Sequence, residues 1–322
     1  MRIFVAGATG AVGRKLVPLL IAMGHSVIGS TRRAAKAGML RELGAEPAIA
    51  DGLDAASMRG AVTAARPDVV IHQMTDLAAA TDLRHFDRAF ARTNELRTRG
   101  TDILLAAARE AGAKRFIAQS FCGWTFSREG GAIKTEADQL DPNPPEELRR
   151  TLEAIRYLER TVLASAVPEG IVLRYGFFYG PDTGTLSPPM REQLRRRRVP
   201  MIGGGGGYWS FIHTEDAASA TVAAIERGRA GEIYNIVDDH PAQVRDWLPA
   251  LAEILGAKPP LHVPAWLGRL LAGEHMTAMM TEVRGASNAK AKRELAWLPG
   301  HPSWRDGFAD AAGSSAGQRS AA

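Results

Sequence analysis

Residues 3–13 read IFVAGATGAVG, a short apolar run that leads directly into three regularly spaced glycines. Gly7, Gly10 and Gly13 lie where a buried strand would end and an apolar helix over residues 14–23 would begin. Glycine permits a tight turn there and lets backbone N–H groups approach a pyrophosphate at the helix N-terminus. The stretch therefore predicts a dinucleotide-binding loop; the alternative is a strand-to-helix turn that is merely tight. The loop residues predicted to hold the cofactor are Gly7, Thr9, Gly10, Ala11, Val12 and Gly13.

Working outward from this loop, short apolar runs alternate with helical patterns as far as residue 175. The runs lack strict polar alternation, which is typical of strands buried on both faces of a parallel sheet. We therefore predict an α/β fold: a doubly wound, Rossmann-like parallel sheet with a smaller C-terminal substrate lobe. The predicted strands are 3–6, 26–29, 47–50, 69–72, 116–119 and 171–173.

The amino-acid composition changes after Arg174, and this change suggests the domain organisation. Glycine and proline cluster in residues 176–189, and residues 203–207 are five glycines. We assign residues 1–175 to a cofactor-binding domain and residues 176–308 mainly to a substrate lobe, with a strand at 232–237 returning to the sheet. The tail, residues 309–322, is rich in Ala, Gly and Ser, a composition that predicts disorder.

The end of the second predicted strand indicates which nicotinamide cofactor is preferred. A site for NAD normally carries an acidic residue there to hold the ribose 2′-hydroxyl. The sequence instead has Thr31, Arg32 and Arg33. Two arginines suit a 2′-phosphate, so NADP (as NADPH) is favoured over NAD. The alternative is a solvated basic start to the next helix.

Several segments together resemble the short-chain dehydrogenase/reductase superfamily, in its extended, epimerase/dehydratase-like branch. The segments are LRYGFFYGP at 173–181, SFIHTEDA at 210–217 and AKAKRELAWL at 289–298, besides the glycine loop. The resemblance implies that Asp51 and Gly52 lie near the adenine. It also implies that the strand end carrying Gln73 and Met74 passes the ribose and diphosphate.

The catalytic residues of that superfamily are missing from the matching positions. Its members generally use a Tyr as acid/base, with a Lys four residues later. Aligning the helix on Glu159 places Thr151 at the Tyr position and Ile155 at the Lys position, and no YxxxK string occurs in the sequence. The usual Asn position fits Arg97 better than Asn94.

The fifth strand also departs from the pattern, because its second hydroxyl position is Phe121 and only Ser120 remains. Another proton donor is therefore needed near the nicotinamide, or none at all. The candidates are Ser120, Thr151, Tyr175 and Tyr179, with His213 less favoured.

The substrate lobe indicates an apolar ligand. Residues 208–211 (YWSF) follow the glycine run without the cation that nucleotide-sugar enzymes usually place there, although Arg284 lies later in the lobe. Aromatic side chains without a phosphate-pairing charge favour a partly apolar substrate that contains a ring. The alternative for each of these aromatic side chains is that it packs in the hydrophobic core and does not contact a substrate. The predicted pocket residues are Phe121, Trp124, Phe177, Phe178 and Trp209.

Composition limits the partners, metals and cellular location to be expected for this protein. The 322 residues carry a net charge of +5, and the single cysteine, Cys122, excludes an internal disulfide and a cysteine-rich metal site. The basic run Arg195–Arg198 has no interleaved aromatic residues and is predicted to be a solvated face, so no nucleic-acid partner is expected. Without a long apolar stretch or signal peptide we expect no membrane partner, a cytoplasmic location and no bound metal. A homodimer stays open.

Three functions fit these features. The first is an atypical NADPH-dependent oxidoreductase that reduces a carbonyl or imine-like group of a partly apolar small molecule. The second is a redox-neutral isomerase or cyclase on the same scaffold. The third is a non-catalytic protein that senses NADP.

Overall fold

Strands and helices alternate through the computed structural model, which describes residues 1–77, 85–181 and 183–320, with side chains as far as Gly313. The strands in the described residues are β1 (Arg2–Ala6), β2 (Ser26–Thr31), β3 (Glu46–Ile49), β4 (Val69–His72), β5 (Arg115–Phe121), β6 (Ile133–Lys134), β7 (Glu169–Tyr175), β8 (Phe177–Gly180), β9 (Thr183–Gly184), β10 (Met201–Ile202), β11 (Tyr208–Trp209), β12 (Phe211–His213), β13 (Ile233–Ile236), β14 (Ala242–Gln243), β15 (His262–Val263) and β16 (Gly285–Ala286).

The helices follow the same alternation. Those in the described residues are α1 (Ala11–Ala22), α2 (Ala37–Glu42), α3 (Ala55–Ala65), α4 (Phe86–Ala89), α5 (Ala91–Arg97), α6 (Arg99–Glu110), α7 (Glu146–Leu163), α8 (Pro188–Arg195), α9 (Thr214–Arg227), α10 (Val244–Ile254), α11 (Ala265–Ala272), α12 (Glu274–Thr281), α13 (Ala289–Leu295) and α14 (Trp304–Ser320).

Seven parallel strands form the central sheet, in the order β3-β2-β1-β4-β5-β7-β13. The six strands predicted from the apolar runs are all present. The predicted returning strand is also confirmed, since β13 pairs with β7 with Ile233 opposite Val172. The doubly wound, Rossmann-like fold is therefore confirmed.

Apolar side chains fill both faces of this sheet, which explains why its strands read as unbroken hydrophobic runs. Successive residues of a strand point to opposite faces. Val5 and Ile71 pack on one face with Leu16 of α1, and α9 also covers this face. Phe4 and Val70 pack on the other face against α3, α6 and α7.

The order of the sheet fixes where a ligand can bind. The chain runs outward from β1 through β2 to β3, then crosses to β4 on the other side of β1. In such sheets the crevice lies beyond the carboxyl ends of the strands at this reversal. The loop after β1 and the residues after β4 border that crevice.

Small sheets and helices after β7 form a smaller lobe, around an aromatic core that includes Phe211 and Trp247; its role in binding substrate stays a prediction. The lobe is interrupted by α9, β13 and α13, which pack on the central sheet. The boundary at residue 175 stays a prediction.

The C-terminal residues begin on a helix. Helix α14 continues past Phe308 to Ser320, and Ala311 on it is 3% exposed. The first turns of this helix are buried against the lobe. The disorder predicted for residues 309–322 stays a prediction, and Ala321 and Ala322 lie outside the described residues. In the described part of the chain, no helix has the length and hydropathy that crossing a membrane would need.

Candidate active site

The turn from β1 into α1 is built so that only glycine fits at two positions. Gly7 has a φ of +90°, and a Cβ there would lie 2.7 Å from the carbonyl oxygen of Gln73. A Cβ on Gly13 would lie 2.6 Å from the carbonyl oxygen of Gly7. The N-terminus of α1 is thereby drawn close to the end of β4. This close approach of bare backbone suits a dinucleotide pyrophosphate.

The rest of the loop shows which atoms are available to such a group. Gly10 is the N-cap of α1 and is exposed, whereas Thr9 and Ala11 are half-buried. The side chain of Val12 belongs to the core that α1 shares with the sheet. Val12 can therefore offer a ligand only its backbone.

The two arginines after β2 have different surroundings. The Nη2 atom of Arg32 lies 3.2 and 3.3 Å from the two carboxylate oxygens of Asp76. Arg33 is exposed, and among the described residues no acidic side chain pairs with it. The hydroxyl of Thr31 accepts the backbone N–H of Arg33 at 3.2 Å and fixes the turn. An anion at this edge would meet Arg33 before it competed for Arg32.

A chain of alternating charges continues from Arg32 along the carboxyl edge of the sheet. Arg92 on α5 lies 3.6 Å from Asp76 and 3.1 Å from Asp51. Asp51 also accepts the backbone N–H of Leu53 at 3.0 Å, which shapes the turn after β3. The predicted residues Asp51 and Arg32 are therefore brought to one edge.

Close packing under this edge explains the neighbouring glycine and methionine. A Cβ on Gly52 would lie 2.4 Å from the sulfur of Met74. Met74 and Gly52 are both buried, so they support the edge from beneath. Gln73 is also buried, and its amide donates to the hydroxyl of Tyr175 at 3.1 Å.

Tyr175 lies in the core, and its role as a proton donor stays a prediction. It is fully buried in the core beneath α1 and α9, and its hydroxyl also lies 2.7 Å from that of Thr221. Burial raises the pKa of Tyr175 to about 12. Phe178 packs 5.4 Å from its ring, on the core side instead of in the aromatic pocket predicted for it.

Tyr179 and His213 lie together in the lobe, with ring centroids 5.2 Å apart. The ring of Tyr179 is fully buried against Phe308, 5.1 Å away, and burial raises its pKa. His213 accepts the backbone N–H of Glu215 at 3.3 Å and so caps α9, and burial lowers its pKa to about 4. Both side chains therefore make structural contacts here, and their role as acids stays a prediction.

Ser120 anchors a helix. Its hydroxyl donates to Glu159 of α7 at 2.7 Å, and Glu159 in turn receives two hydrogen bonds of 2.7 Å from Arg174. All three residues are at least 95% buried. The hydroxyl is thus held on the α7 side of the sheet, and the next residue, Phe121, takes the opposite direction.

Thr151, at the position of the expected tyrosine, lies at the centre of a second network. Its hydroxyl accepts the side-chain amide of Asn94 at 2.9 Å and donates to Asp87 at 2.5 Å. Asp87 also accepts the backbone N–H groups of Arg150 and Thr151, each at 2.9 Å. The only hydrogen of the Thr151 hydroxyl is therefore committed to a carboxylate.

The cation of the usual motif is also missing from α7, because an isoleucine, Ile155, stands at the position of the lysine. Its side chain is fully buried. A different cation lies close by. Arg97 of α5 is 7% exposed and donates to Asn94 at 3.4 Å, and burial lowers its pKa to about 10. Arg97 remains charged at neutral pH, but it contacts Thr151 only through Asn94.

Aromatic rings from three elements meet where β5 and β8 approach the lobe. Phe177 stacks on Trp209 with ring centroids 3.9 Å apart, and Phe121 meets Phe177 edge-on at 5.3 Å. Trp124 lies 6.3 Å from Phe121 and edge-on to Phe86 of α4. Four of the five predicted pocket residues thus form one cluster, which we call the aromatic pocket: Phe121, Trp124, Phe177 and Trp209.

Comparison with known proteins agrees with this geometry. The model of the NAD-dependent epimerase/dehydratase family matches residues 3–237. The chain belongs to this family. As a family member it shares its fold with the UDP-glucose 4-epimerase of Thermotoga maritima, with a TM-score of 0.77 at 22% identity over 99% of both chains.

Two relatives of this family member are named reductases. A 3-diazoavenalumate denitrifying reductase from a Streptomyces species is 42% identical over 310 residues, 96% of this chain and 99% of that protein. A 4-hydroxy-2-methyl-3-oxo-4-farnesyl-3,4-dihydroquinoline-1-oxide ketoreductase from Stigmatella aurantiaca is 30% identical, over 80% of this chain and 74% of that protein. The family member is an oxidoreductase that uses a nicotinamide cofactor and a small-molecule substrate.

Sequence reasoning missed the partners that hold these side chains. Asp87, which fixes Thr151, follows a segment without a readable pattern, and the Asp76–Arg92–Asp51 chain joins residues far apart in sequence. Glu159 served only to align α7, although its pairing with Arg174 is among the most buried ion pairs described. A buried charge on an otherwise apolar helix face was the available signal.

Proposed function

We propose that this protein is an NADPH-dependent reductase that delivers a hydride to an aromatic diazo compound and replaces its dinitrogen with hydrogen. The observation that carries the proposal is the Thr151 network. Thr151 replaces the acid, its hydrogen is held by Asp87, and Ile155 replaces the cation that would lower the pKa of an acid. The site is therefore suited to a reduction that uses no proton.

The residues around the crevice fit the cofactor in this proposal. Gly7, Gly10 and Gly13 would hold the pyrophosphate, Asp51 and Gly52 the adenine end, and Arg33 with Arg32 a 2′-phosphate. When bound, NADPH supplies a hydride. The exposed guanidinium of Arg33 supports NADPH over NADH, since two arginines and no carboxylate follow β2 directly.

The chemistry of an arenediazonium matches a site without an acid. Its C–N bond breaks, and that electron pair leaves with dinitrogen. The hydride brings the electron pair of the new C–H bond, so charge and atoms balance without a proton. A relative named for denitrifying a diazo compound, 42% identical over nearly the whole chain, supports this substrate class.

The aromatic pocket supports a ring-containing substrate. Phe177 and Trp209 present stacked rings, and Phe121 replaces a hydroxyl that would otherwise polarise a carbonyl. Aromatic faces bind planar apolar groups through dispersion and offset stacking. A planar arene is thus favoured over a hydrated sugar.

Carbonyl reduction is the second candidate, and the ketoreductase relative favours it. A ketone gains a hydride at carbon and a proton at oxygen, so an acid or water must supply that proton. The two candidates therefore differ in whether the rate depends on proton supply.

The test uses the purified protein with NADPH and a hydroxybenzenediazonium salt, with protein-free reactions as the blank. We expect NADPH oxidation, dinitrogen and arene in equal amounts, with deuterium from 4-deuterated NADPH at the ring carbon. Arene that forms without NADPH loss or deuterium transfer would refute hydride delivery. An isomerised or cyclised product without NADPH consumption would indicate redox-neutral chemistry. No turnover, combined with a cofactor-dependent change in partner binding, would indicate a sensor.

Cofactor preference is tested separately by binding. We expect Arg33→Ala to weaken NADPH binding roughly tenfold while leaving NADH binding unchanged, because one charge-assisted phosphate contact is lost. Arg41→Ala, an exposed arginine on α2, is the matched control. Equal loss for both cofactors in Arg33→Ala, or tighter binding of NADH by the unmodified protein, would refute the NADP assignment.

A further inference from the structure

Helix α11 exposes large apolar side chains to solvent. Trp266 is 67% exposed, Leu270 76% and Leu271 54%, and Leu261, just before β15, is 47% exposed. Contiguous exposed apolar side chains of this size mark an interaction surface. We call these four residues the apolar face.

The orientation of α11 is fixed by its opposite side. A Cβ on Gly268 would lie 2.3 Å from a side-chain carbon of Ile202, so this side of the helix is pressed on β10. At about 100° per residue, Trp266 and Leu270 lie opposite Gly268. Trp266 and Leu270 therefore point away from the body of the protein, because the opposite side of α11 is packed on β10.

Positive charge lies beside the apolar face. The arginine turn, Arg195–Arg198, ends α8 two residues before β10, and β10 pairs in parallel with β15. Arg197 donates to the carbonyl of Pro259 at 2.9 Å, which ties this turn to the segment that leads into Leu261. Residues 192–198 carry a net +3 and residues 257–274 a net +1, most of the chain's +5.

We propose that the apolar face and the arginine turn dock this protein on the surface of an anionic lipid bilayer. Trp266 and Leu270 would enter the boundary between headgroups and acyl chains, with α11 in the plane of the surface. The arginines would meet lipid phosphates. An exposed apolar helix face with a tryptophan and a basic surround is the chemistry that such a surface recognises.

A second copy of the chain fits this surface less well. A two-fold contact places the same patch of each copy against the other, so both arginine turns would lie in one interface and add like charge to it. Stable protein interfaces also take roughly 20–30 residues from each side. A few leucines and one tryptophan among like charges suit a lipid surface better than a self-contact.

Tryptophan fluorescence tests the proposal directly. Of the six tryptophans only Trp266 is largely exposed; Trp124, Trp247, Trp297 and Trp304 are at least 95% buried and Trp209 is half-buried. Vesicles with equal parts of phosphatidylcholine and phosphatidylglycerol should shift the emission to the blue and protect it from acrylamide. The shift should be absent in Trp266→Phe, with pure phosphatidylcholine vesicles and at high salt.

Matched variants separate the two parts of the surface in vesicle sedimentation. Leu270→Ser and the pair Arg195→Glu with Arg198→Glu should each lower the bound fraction at least tenfold. Leu298→Ser, an equally exposed leucine elsewhere, and the pair Arg41→Glu with Arg149→Glu should leave it unchanged. Equal binding by all variants overturns the proposal. So does a blue shift without lipid that accompanies a doubled mass, since a second copy would then cover the face.

Discussion

At the scale of single residues, Thr151 occupies the position of the family's tyrosine and links three helices. Its hydroxyl joins α5, α7 and α4 through Asn94 and Asp87. We expect Thr151→Val to lower the free energy of unfolding by about 1–3 kcal/mol, because Asp87 and Asn94 each lose a buried partner. Thr151→Ser keeps the hydroxyl and should stay within experimental error of the unmodified protein. Urea unfolding measures both.

The same two variants test the role of Thr151 in the reaction. Since the proposed hydride transfer takes no proton from Thr151, its single-turnover rate in Thr151→Val should change less than threefold when the protein is folded. A loss of several hundredfold in a folded Thr151→Val variant, restored by Thr151→Ser, would show that the hydroxyl acts in catalysis.

His72 makes a residue-level prediction about pH. It ends β4, where one ring nitrogen lies 3.2 Å from the carbonyl of Leu96 and the other accepts the N–H of Met74 at 3.2 Å. Burial lowers its pKa from 6.5 to about 4. Its neutral form is favoured in the folded state, so its contribution is complete above pH 6.5 and is lost as the pH falls towards 4.

The expected loss on going to about pH 5 is on the order of 2 kcal/mol from His72. His72→Gln should therefore lose less stability than the unmodified protein between about pH 7 and pH 5. Urea unfolding at both pH values measures the difference, with His25→Gln, a surface histidine, as control. An identical pH dependence in His72→Gln would contradict the assignment.

At the scale of elements, the sequence predicted the features that depend on neighbouring residues, namely the strands of the central sheet and the glycine loop. The strands can be predicted from sequence because both faces of the sheet are buried, which makes each strand an unbroken apolar run. The glycine loop can be predicted because backbone atoms close to Gly7 and Gly13 leave no room for a side chain. The direction of a side chain near a strand end is not local. Tyr175 and Phe178 face the core beneath α1 and α9, whereas Phe177 faces the pocket, because a break at Gly176 separates β7 from β8.

The aromatic pocket gives the element-level prediction. Phe177 joins β8 to β11 by stacking on Trp209 and to β5 through Phe121. Phe177→Ala should raise KM for an aromatic substrate roughly tenfold, since one ring face of about 1–2 kcal/mol is lost, with kcat changed little. Phe178→Ala, whose ring packs on the core side, should lower stability without this selective rise in KM. An unchanged KM in a folded Phe177→Ala variant would remove Phe177 from the pocket.

At the scale of the whole molecule, the C-terminal helix shows how long-range burial overrides composition. Residues after Phe308 have the small, polar composition of a disordered tail, yet Ala311 among them is 3% exposed. Trp304 and Phe308, on the preceding turns of the helix, are 4% and 0% exposed. Phe308 packs edge-on against both Tyr179 and Phe211, at 5.1 Å from each. No local sequence pattern could predict these contacts, because the partners of Phe308 lie about a hundred residues earlier in the chain.

This packing predicts where the tail matters for the lobe. Phe308→Ala should lower the free energy of unfolding by about 3–5 kcal/mol, since it leaves a cavity beside Tyr179 and Phe211. A chain ended after Gly313 keeps every buried residue described on α14 and should unfold within about 0.5 kcal/mol of the full chain. Urea titration of both proteins measures the two effects. If the shortened chain lost as much stability as Phe308→Ala, the end of α14 would carry packing of its own, and the closure of the lobe would extend beyond Ala311.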